Sequence, residues 1–335
     1  MKKLIVTLMT FFFSVLPLSA CKKEEGGKTK VKISEVTHSV FYAPLYLADA
    51  LGYFAEENIE IELTNGGGAD NVMSAVLSGG VHVGFCGPEA ALYVLAGGST
   101  DAPKVFGQLT KRDGSFLVSR KDEPHFKWSD LAGKEILAGR KGGVPAMTFE
   151  YVLKNAGLKN GENVTLNYDV AFNLMTGAFE AGTADYCTMF EPTASEYQAA
   201  GKGYIVASVG EASGEVPYTC FMAKESWLKA NAATAKGILR AVAKAVKYVD
   251  EAEETAVAEA LKSYFDGTSA ASLSASVKSY KRIDAWVKNP AMTKEALTRL
   301  QDIIEGAGEL PRRVSLEELT KNDFAEEVYK EVFGE

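Results

Sequence analysis

Short stretches that alternate apolar and polar residues are each followed by a helical pattern. Residues 59–63 alternate isoleucine or leucine with glutamate, which predicts a strand with one face toward solvent. In contrast, residues 72–77 place Val72, Met73, Val76 and Leu77 on one side of a helix that ends at Gly79. This strand–helix order runs from 31 to 97 and again from about 121 to 216. The order predicts sheets rich in parallel strands and covered by helices.

Two extended apolar stretches, 115–120 and 218–223, flank the second unit. We interpret them as paired hinge strands through which the chain enters and leaves that unit. After residue 225 the pattern is helical with one apolar face, as expected of helices that pack back on the first unit. We therefore predict an α/β protein in which residues 31–114 and 221–335 form lobe 1. Residues 115–220 form lobe 2 together with the hinge strands.

The first 20 residues have the layout of a secretory signal. Two lysines precede the apolar run 4–18, which is too short for a stable spanning helix, and small residues follow it. The tetrapeptide at 18–21 is similar to a bacterial lipobox, in which the cysteine is acylated. We predict a signal peptide at 1–20, lipid attachment at Cys21, and a charged, flexible tether at 21–30. A cleaved signal with a chance cysteine is the alternative.

The amino-acid composition and net charge argue against some classes of function. The 335 residues are 47% hydrophobic and 24% charged, which is typical of globular proteins, and the length suits two lobes. The net charge of −8 argues against a nucleic-acid partner, because phosphate binding needs clustered Lys and Arg. No later segment has the length of apolar sequence that spans a bilayer. We expect a monomer that touches the membrane only through its lipid.

Cysteines and histidines are scattered along the chain, without the short spacing of a zinc site. We expect Cys86, Cys187 and Cys220 to be buried thiols, with a Cys187–Cys220 disulfide left open. The glycine-rich turns lack the Lys-Ser/Thr that completes a phosphate-binding P-loop, and no hydrolase or metalloprotease motif occurs. The sequence therefore predicts no metal, no cofactor and no catalytic residue.

The run from Phe41 to Ala48, continued by Gly52-Tyr53-Phe54 and residues 57–61, resembles a known family. It is similar to the opening of nitrate/sulfonate/taurine- and thiamine-pyrimidine-type binding proteins of ABC importers. Gly67–Asp70, and Asp185 ahead of Glu191-Pro192, extend the resemblance to residues 31–223. The resemblance implies a type II periplasmic-binding fold: two lobes, two crossover strands, and a cleft that closes on ligand. It also implies a non-enzymatic subunit on the extracytoplasmic face of the cell membrane that delivers a small molecule to permease and ATPase subunits.

The ligand should bind beyond the carboxyl ends of the strands, where helices begin and present free N–H groups. The junctions and hinge-proximal positions that meet this condition are Ser39, Phe41, Tyr42, Gly87, Pro88, Glu89, Gly114, Ser115, Gly143, Phe172, Asn173, Glu191 and Tyr218. Each has a plainer alternative. The aromatic residues equally fit a core role, the two glutamates favour the first turn of any helix, and the glycines suit turns.

Glu89 and Glu191, with aromatic residues nearby, favour a neutral or cationic ligand. A buried carboxylate repels an anion, and aromatic faces stack on flat rings. We expect an amine-bearing heterocycle such as an aminopyrimidine or a vitamin precursor. A sulfonate, taurine or nitrate ligand is the alternative if basic residues turn inward, the candidates being Lys111, Arg112, Arg140 and Lys141. A thiamine-pyrimidine synthase-like enzyme is a further alternative that the export signal and the scattered cysteines disfavour.

Overall fold

The computed structural model describes residues 27–334, so the predicted signal peptide, the lipid attachment at Cys21 and tether residues 21–26 lie outside the described residues. Its strands form two five-stranded sheets. The first contains β1 (Thr29–Glu35), β2 (Ile59–Asn65), β3 (Val83–Cys86), β4 (Pro103–Thr110) and β10 (Thr219–Lys224). The second contains β5 (Ser115–Ser119), β6 (Glu135–Leu137), β7 (Thr165–Leu166), β8 (Tyr186–Phe190) and β9 (Tyr204–Ser208).

The two sheets repeat one topology. Their strand orders are β2-β1-β3-β10-β4 and β7-β6-β8-β5-β9. In each sheet the first three strands pair in parallel, and the remaining two pairings are antiparallel. The predicted α/β architecture with two sheets is confirmed, and each sheet is mixed. We call the first sheet with its helices lobe 1 and the second lobe 2.

The two stretches expected to pair as hinge strands lie in different sheets. β5 runs between β8 and β9, and β10 runs between β3 and β4. Both are buried on both faces, and apolar content alone does not tell a hinge from a central strand. The chain instead crosses between lobes at 111–114 and 214–218. These crossings are bonded to each other, since Val216 N–H donates to the Lys111 carbonyl at 2.9 Å.

Helices cover both sheets. They are α1 (Ala43–Ala50), α2 (Tyr53–Glu56), α3 (Ala69–Ser78), α4 (Glu89–Ala96), α5 (Val144–Asn155), α6 (Met175–Glu180), α7 (Thr193–Ala199), α8 (Val209–Ser213), α9 (Glu225–Ala230), α10 (Ala232–Glu251), α11 (Glu254–Leu261), α12 (Ala270–Arg282), α13 (Lys294–Gly306), α14 (Leu316–Leu319) and α15 (Asn322–Phe333). Short 3₁₀ turns occupy 40–42, 128–131, 172–174 and 262–264.

The C-terminal helices join the two lobes. α10 packs on α1, α2 and α15, and α15 packs on β4, all in lobe 1. α12 and α13 also reach lobe 2, where they contact α7 and α5. α10 buries an apolar stripe that includes Ile238, Val242 and Val249, as an amphipathic helix on a sheet should. The helical third of the chain therefore borders the contact between lobes.

The first strand begins earlier than the sequence indicates. Thr29 and Lys30 pair with Ile59 and Glu60 of β2, so they belong to the sheet and not to the tether predicted for 21–30. Both are exposed polar residues, and their place in the strand comes from backbone pairing, which leaves no apolar signal in the sequence. The chain thus enters lobe 1 at residue 29.

Cys86, Cys187 and Cys220 are all free and buried. Cys187 lies on β8 of the second sheet and Cys220 on β10 of the first, so the disulfide left open between them does not form. Within residues 27–334, no cluster of three or more His, Cys, Asp or Glu side chains has a geometry that could hold a metal ion. None of the helices in that part of the chain combines the length and apolarity needed to cross a membrane.

Candidate functional site

The loop after β1 binds directly to lobe 2. The Ser39 hydroxyl donates to the Glu191 carbonyl oxygen at 2.6 Å, and the Val40 N–H donates to the same oxygen at 3.3 Å. Ser39 also accepts from the Phe41 N–H at 3.1 Å, which begins the 3₁₀ turn before α1. Ser39 therefore shapes its own loop and joins the two lobes at once.

A buried tyrosine from the C-terminal helices completes this contact. The hydroxyl of Tyr280, on α12, accepts from the Glu191 N–H at 2.9 Å and donates to the Gly114 carbonyl at 3.1 Å. Trp286 donates its indole N–H to the Phe41 carbonyl at 2.8 Å. Sequence reasoning missed both residues, because the periodicity of α12 gives its buried face but not the partners of Tyr280, and Trp286 lies beyond the end of that helix.

Aromatic rings fill the contact between the lobes. The ring of Phe41 lies 5.5 Å from that of Phe190, 5.8 Å from Tyr218 and 5.1 Å from Tyr280. A Cβ atom at Gly114 would lie 2.6 Å from ring atoms of Phe41, so only glycine lets the crossover approach the ring. Phe41 is fully buried here, which fits the core role as well as the expected place at the cleft.

Glu89 is a buried acid at this boundary. It begins α4 in lobe 1 and is 1% exposed. Its Oε1 accepts from the Val144 N–H at the start of α5 in lobe 2, at 3.3 Å. Within the described part of the chain, its Oε2 is buried without a hydrogen-bond partner. Burial raises the pKa of Glu89 to about 7, against the opposing effects of the Val144 N–H and the Arg140 charge.

A small cavity lies beside Glu89, between the lobes. Its volume is about 130 Å³. Lobe 1 contributes Glu89, Val36 and the segment 67–71, and lobe 2 contributes Arg140, Gly143, Pro145 and the segment 171–173. Four expected site residues thus meet here: Glu89, Gly143, Phe172 and Asn173. Depressions of about 480 and 520 Å³ on the outside of lobe 1 are larger, but none of the thirteen expected site residues lines them.

Arg140 brings a positive charge to the same cavity. Its Nε lies 3.2 Å from Oδ1 of Asp70, so an ion pair spans the cavity between the lobes. The other three basic residues considered from sequence are also paired: Lys111 with Asp284, Arg112 with Glu215 and Lys141 with Glu309. Of these four, Arg140 alone lines the cavity.

Asp113 is a second buried acid, located on the crossover into lobe 2. Its Oδ1 accepts from the N–H of Ser115 at 2.7 Å and from the Ser115 hydroxyl at 2.5 Å. Burial raises the pKa of Asp113 to about 6, and the hydrogen bonds from Ser115 oppose that rise. Ser115 is therefore a hydrogen-bond donor to Asp113. The nearby ring of Tyr218 packs on Phe41.

The carboxylate of Glu191 is occupied within its own lobe. It accepts from the N–H of Ser195 at 2.9 Å and from the Ser195 hydroxyl at 2.7 Å, which satisfies donors at the start of α7. Burial raises the pKa of Glu191 and Ser195 opposes the rise. The backbone of Glu191 therefore bonds to lobe 1, whereas its carboxylate bonds to Ser195 within lobe 2.

The remaining expected residues support these contacts. Gly87 precedes Glu89, and a Cβ atom at position 87 would lie 2.0 Å from the Glu89 carboxylate. Pro88 occupies the N-cap position of α4. Tyr42 is buried with its ring 4.6 Å from Phe85. Of the thirteen expected residues, four line the cavity, namely Glu89, Gly143, Phe172 and Asn173. Five others take part in the contacts around the crossovers and between the lobes: Ser39, Phe41, Gly114, Glu191 and Tyr218.

The chain is similar in sequence to one protein family and to a known protein. Residues 40–256 match the family model described as NMT1/THI5 like. The candidate binding protein YtlA of Bacillus subtilis (strain 168) is 41% identical over 319 residues, which cover 95% of both chains.

Solved structures share the fold at low sequence identity. The alkanesulfonate-binding protein SsuA from Xanthomonas axonopodis pv. citri, bound to MOPS, has a TM-score of 0.71 at 18% identity, covering 87% of this chain and 98% of its own. The periplasmic nitrate-binding protein NrtA from Synechocystis PCC 6803 has a TM-score of 0.72 at 16% identity, covering 91% of this chain and 89% of its own. The periplasmic-binding fold expected from the sequence is confirmed.

Proposed function

The chain belongs to the NMT1/THI5-like family, and from this membership we propose that it is the solute-binding subunit of an ABC importer. It captures a small molecule between its lobes and delivers it to permease and ATPase subunits. Support comes from the relationship to YtlA and from the fold shared with SsuA and NrtA. The protein acts as a monomer and catalyses no reaction on the solute.

The ligand is an amine-bearing heterocycle, neutral or cationic, of the aminopyrimidine or vitamin-precursor type. The observation that carries this proposal is the buried Glu89 carboxylate on the cavity, with one oxygen unpartnered within residues 27–334. A ligand N–H would satisfy that oxygen, and a positive charge would compensate the carboxylate. Phe172 also lines the cavity, and an aromatic side chain there suits a flat ring.

An anion such as a sulfonate, taurine or nitrate is the second candidate. The observation that favours it is Arg140, which lines the cavity beside the start of α5. The neighbours SsuA and NrtA are described as alkanesulfonate- and nitrate-binding. Against this candidate, Asp70 already neutralises Arg140 and Glu89 adds a negative charge.

Calorimetry decides between the two ligand classes. We expect 4-aminopyrimidine or a substituted analogue to bind, and methanesulfonate and nitrate not to bind, in matched titrations. A ligand at 100 times its Kd should stabilise the protein by about 2.7 kcal/mol in a thermal melt. Tight sulfonate binding to the wild-type protein would contradict the proposed ligand class.

Small-angle scattering tests the transport mechanism separately. Two crossings between lobes form a hinge, so a bound ligand should shift the protein toward a closed arrangement and reduce its radius of gyration. An unchanged scattering profile at saturating ligand would argue against closure on the solute.

The protein is held at the extracytoplasmic face of the cell membrane by lipid on Cys21. This part of the proposal rests on the sequence order of a basic start, an apolar run and the lipobox-like tetrapeptide. One acyl chain alone gives only marginal binding, so stable anchoring requires more than one.

A further inference from the structure

The start of α5 presents backbone N–H groups to lobe 1. The helix has 12 residues, and its N-cap is Gly143, which has no side chain to satisfy them. The second residue of the helix is Pro145, which has no N–H. The Val144 N–H therefore faces the boundary between the lobes, together with the positive end of the helix dipole. Such a position stabilises an anion.

An anion from the opposite lobe already occupies this position. The Glu89 side chain is 1% exposed and lines the cavity, and its Oε1 lies 3.3 Å from the Val144 nitrogen. Its Oε2 is buried and lacks a partner among residues 27–334. Buried carboxylate oxygens are normally hydrogen-bonded, so this oxygen marks a place for a donor.

The absence of a side chain at position 87 leaves room for the Glu89 carboxylate. A Cβ atom at Gly87 would lie 2.0 Å from one carboxylate oxygen and 2.8 Å from the other. The backbone at position 87 thus forms one wall against the carboxylate, and the start of α5 forms the opposing contact. The carboxylate therefore fills the space between position 87 and the start of α5.

We infer that Glu89 is the specificity-determining residue of the cavity. Its carboxylate takes the place of a bound oxyanion at the start of α5 and offers its second oxygen to a ligand N–H group. This inference rests on the proposed function and deepens it by giving the reason for the ligand class. A free oxyanion is disfavoured for two reasons: Glu89 already fills the position, and when Glu89 is ionised its carboxylate carries the same charge.

Arg140 does not reverse this selectivity. Its guanidinium pairs with Asp70 at 3.2 Å, so the two side chains together contribute no net charge to the cavity. Glu89 is left as the uncompensated charge of the three when it is ionised. A ligand that carries both an N–H donor and a flat ring matches the unpartnered oxygen and the Phe172 wall.

Sulfate titrations of the full-length protein test the inference. Wild type, Glu89→Gln and Glu89→Ala are compared at low ionic strength by calorimetry. The glutamine variant keeps the size of the side chain and removes its charge, and the alanine variant also vacates the start of α5. Glu225→Gln is the matched control, since Glu225 is also a first-turn glutamate but does not line the cavity. Thermal melts establish that each variant is folded.

We expect sulfate affinity to rise about tenfold or more in Glu89→Gln, and further in Glu89→Ala, with Glu225→Gln equal to wild type. Equal sulfate affinity in wild type and a folded Glu89→Gln would overturn the inference. The sulfate measurements decide it without the natural ligand. If 4-aminopyrimidine fails to bind wild type, the proposed ligand class is contradicted while the sulfate result still stands.

Discussion

Tyr280 donates its hydroxyl hydrogen to the carbonyl oxygen of Gly114 at 3.1 Å. The two residues are 166 positions apart, one on a C-terminal helix and the other on the crossover into lobe 2. The same hydroxyl accepts from the Glu191 N–H, so one buried oxygen joins α12 both to the crossover and to a segment of lobe 2. A side chain far from the cavity in sequence thus fixes where the lobes meet.

Removing this hydroxyl should destabilise the protein. Tyr280→Phe leaves the Gly114 carbonyl and the Glu191 N–H buried without their partner, at a cost of about 1–3 kcal/mol. Urea unfolding at equilibrium measures the loss. Tyr204→Phe serves as the control, because Tyr204 is 38% exposed and its replacement should change stability by less than about 0.5 kcal/mol. Equal stabilities of the two variants would contradict the bridging role.

A methyl group at position 87 should displace the Glu89 carboxylate. In Gly87→Ala the new Cβ would lie 2.0 Å from a carboxylate oxygen, so the side chain must move away from the Val144 N–H. We expect a lower melting temperature and at least a roughly tenfold loss of affinity for an amine-bearing ligand.

Gly306→Ala is the control for that substitution. A Cβ atom there meets nothing within 4 Å, and the residue ends α13, so alanine should be neutral or slightly stabilising. If both glycine variants bind ligand as wild type does, Gly87 does not position Glu89.

The ionisation of Glu89 should make stability fall as pH rises. Burial raises its pKa from 4.5 to about 7, so between these values the folded protein holds a proton that the unfolded chain has released. Stability is therefore greatest below about pH 4.5 with respect to this group and is lost as the pH passes through 7. The cost is on the order of 3 kcal/mol at alkaline pH.

The Glu89→Gln variant isolates this effect. Asp113, with its pKa raised to about 6 by burial, adds a loss of the same sign in both proteins. We expect the variant to gain stability relative to wild type as the pH goes from 5 to 8. Denaturant unfolding across this range measures the difference, and a difference independent of pH would show that Glu89 does not titrate as described.

Acylation of Cys21 should determine where the protein partitions. Cells that express wild type or Cys21→Ser are labelled with a palmitate analogue and extracted with a phase-separating detergent. Wild type should carry the label and enter the detergent phase, and the variant should do neither. A matched Cys86→Ser variant should behave as wild type, because Cys86 is buried in the fold. Equal partitioning of Cys21→Ser and wild type would refute the anchor.

The sequence predicted elements well where local rules apply. The alternation at 59–63 corresponds to β2, and α3 ends at Gly79, whose φ of 78° is the left-handed conformation that glycine favours. Val72, Met73 and Val76 are buried as expected, but Leu77 is 38% exposed, because it lies at the margin of the apolar face.

Partners distant in sequence could not be predicted in this way. β10 is apolar on both faces, which suits any buried strand and does not reveal that it lies between β3 and β4. The charge of Arg140 was evident, but its pairing with Asp70 depends on how two lobes meet. Tyr280 gave no signal beyond the periodicity of its helix.

The position of β10 between β3 and β4 affects the order in which the two lobes can fold during synthesis. A nascent chain that has not reached Thr219 has β3 with an open edge and β4 without the strand that joins it to the sheet. An open strand edge tends to pair with other chains. Closing the loop between β4 and β10 also costs entropy before those two strands pair. The five strands of lobe 2 are consecutive between residues 115 and 208, so the pairing of that sheet needs no strand that is made later. The sheet of lobe 2 can therefore form before the sheet of lobe 1, although lobe 1 begins the chain, because the lobe 1 sheet is complete only once β10 has been made.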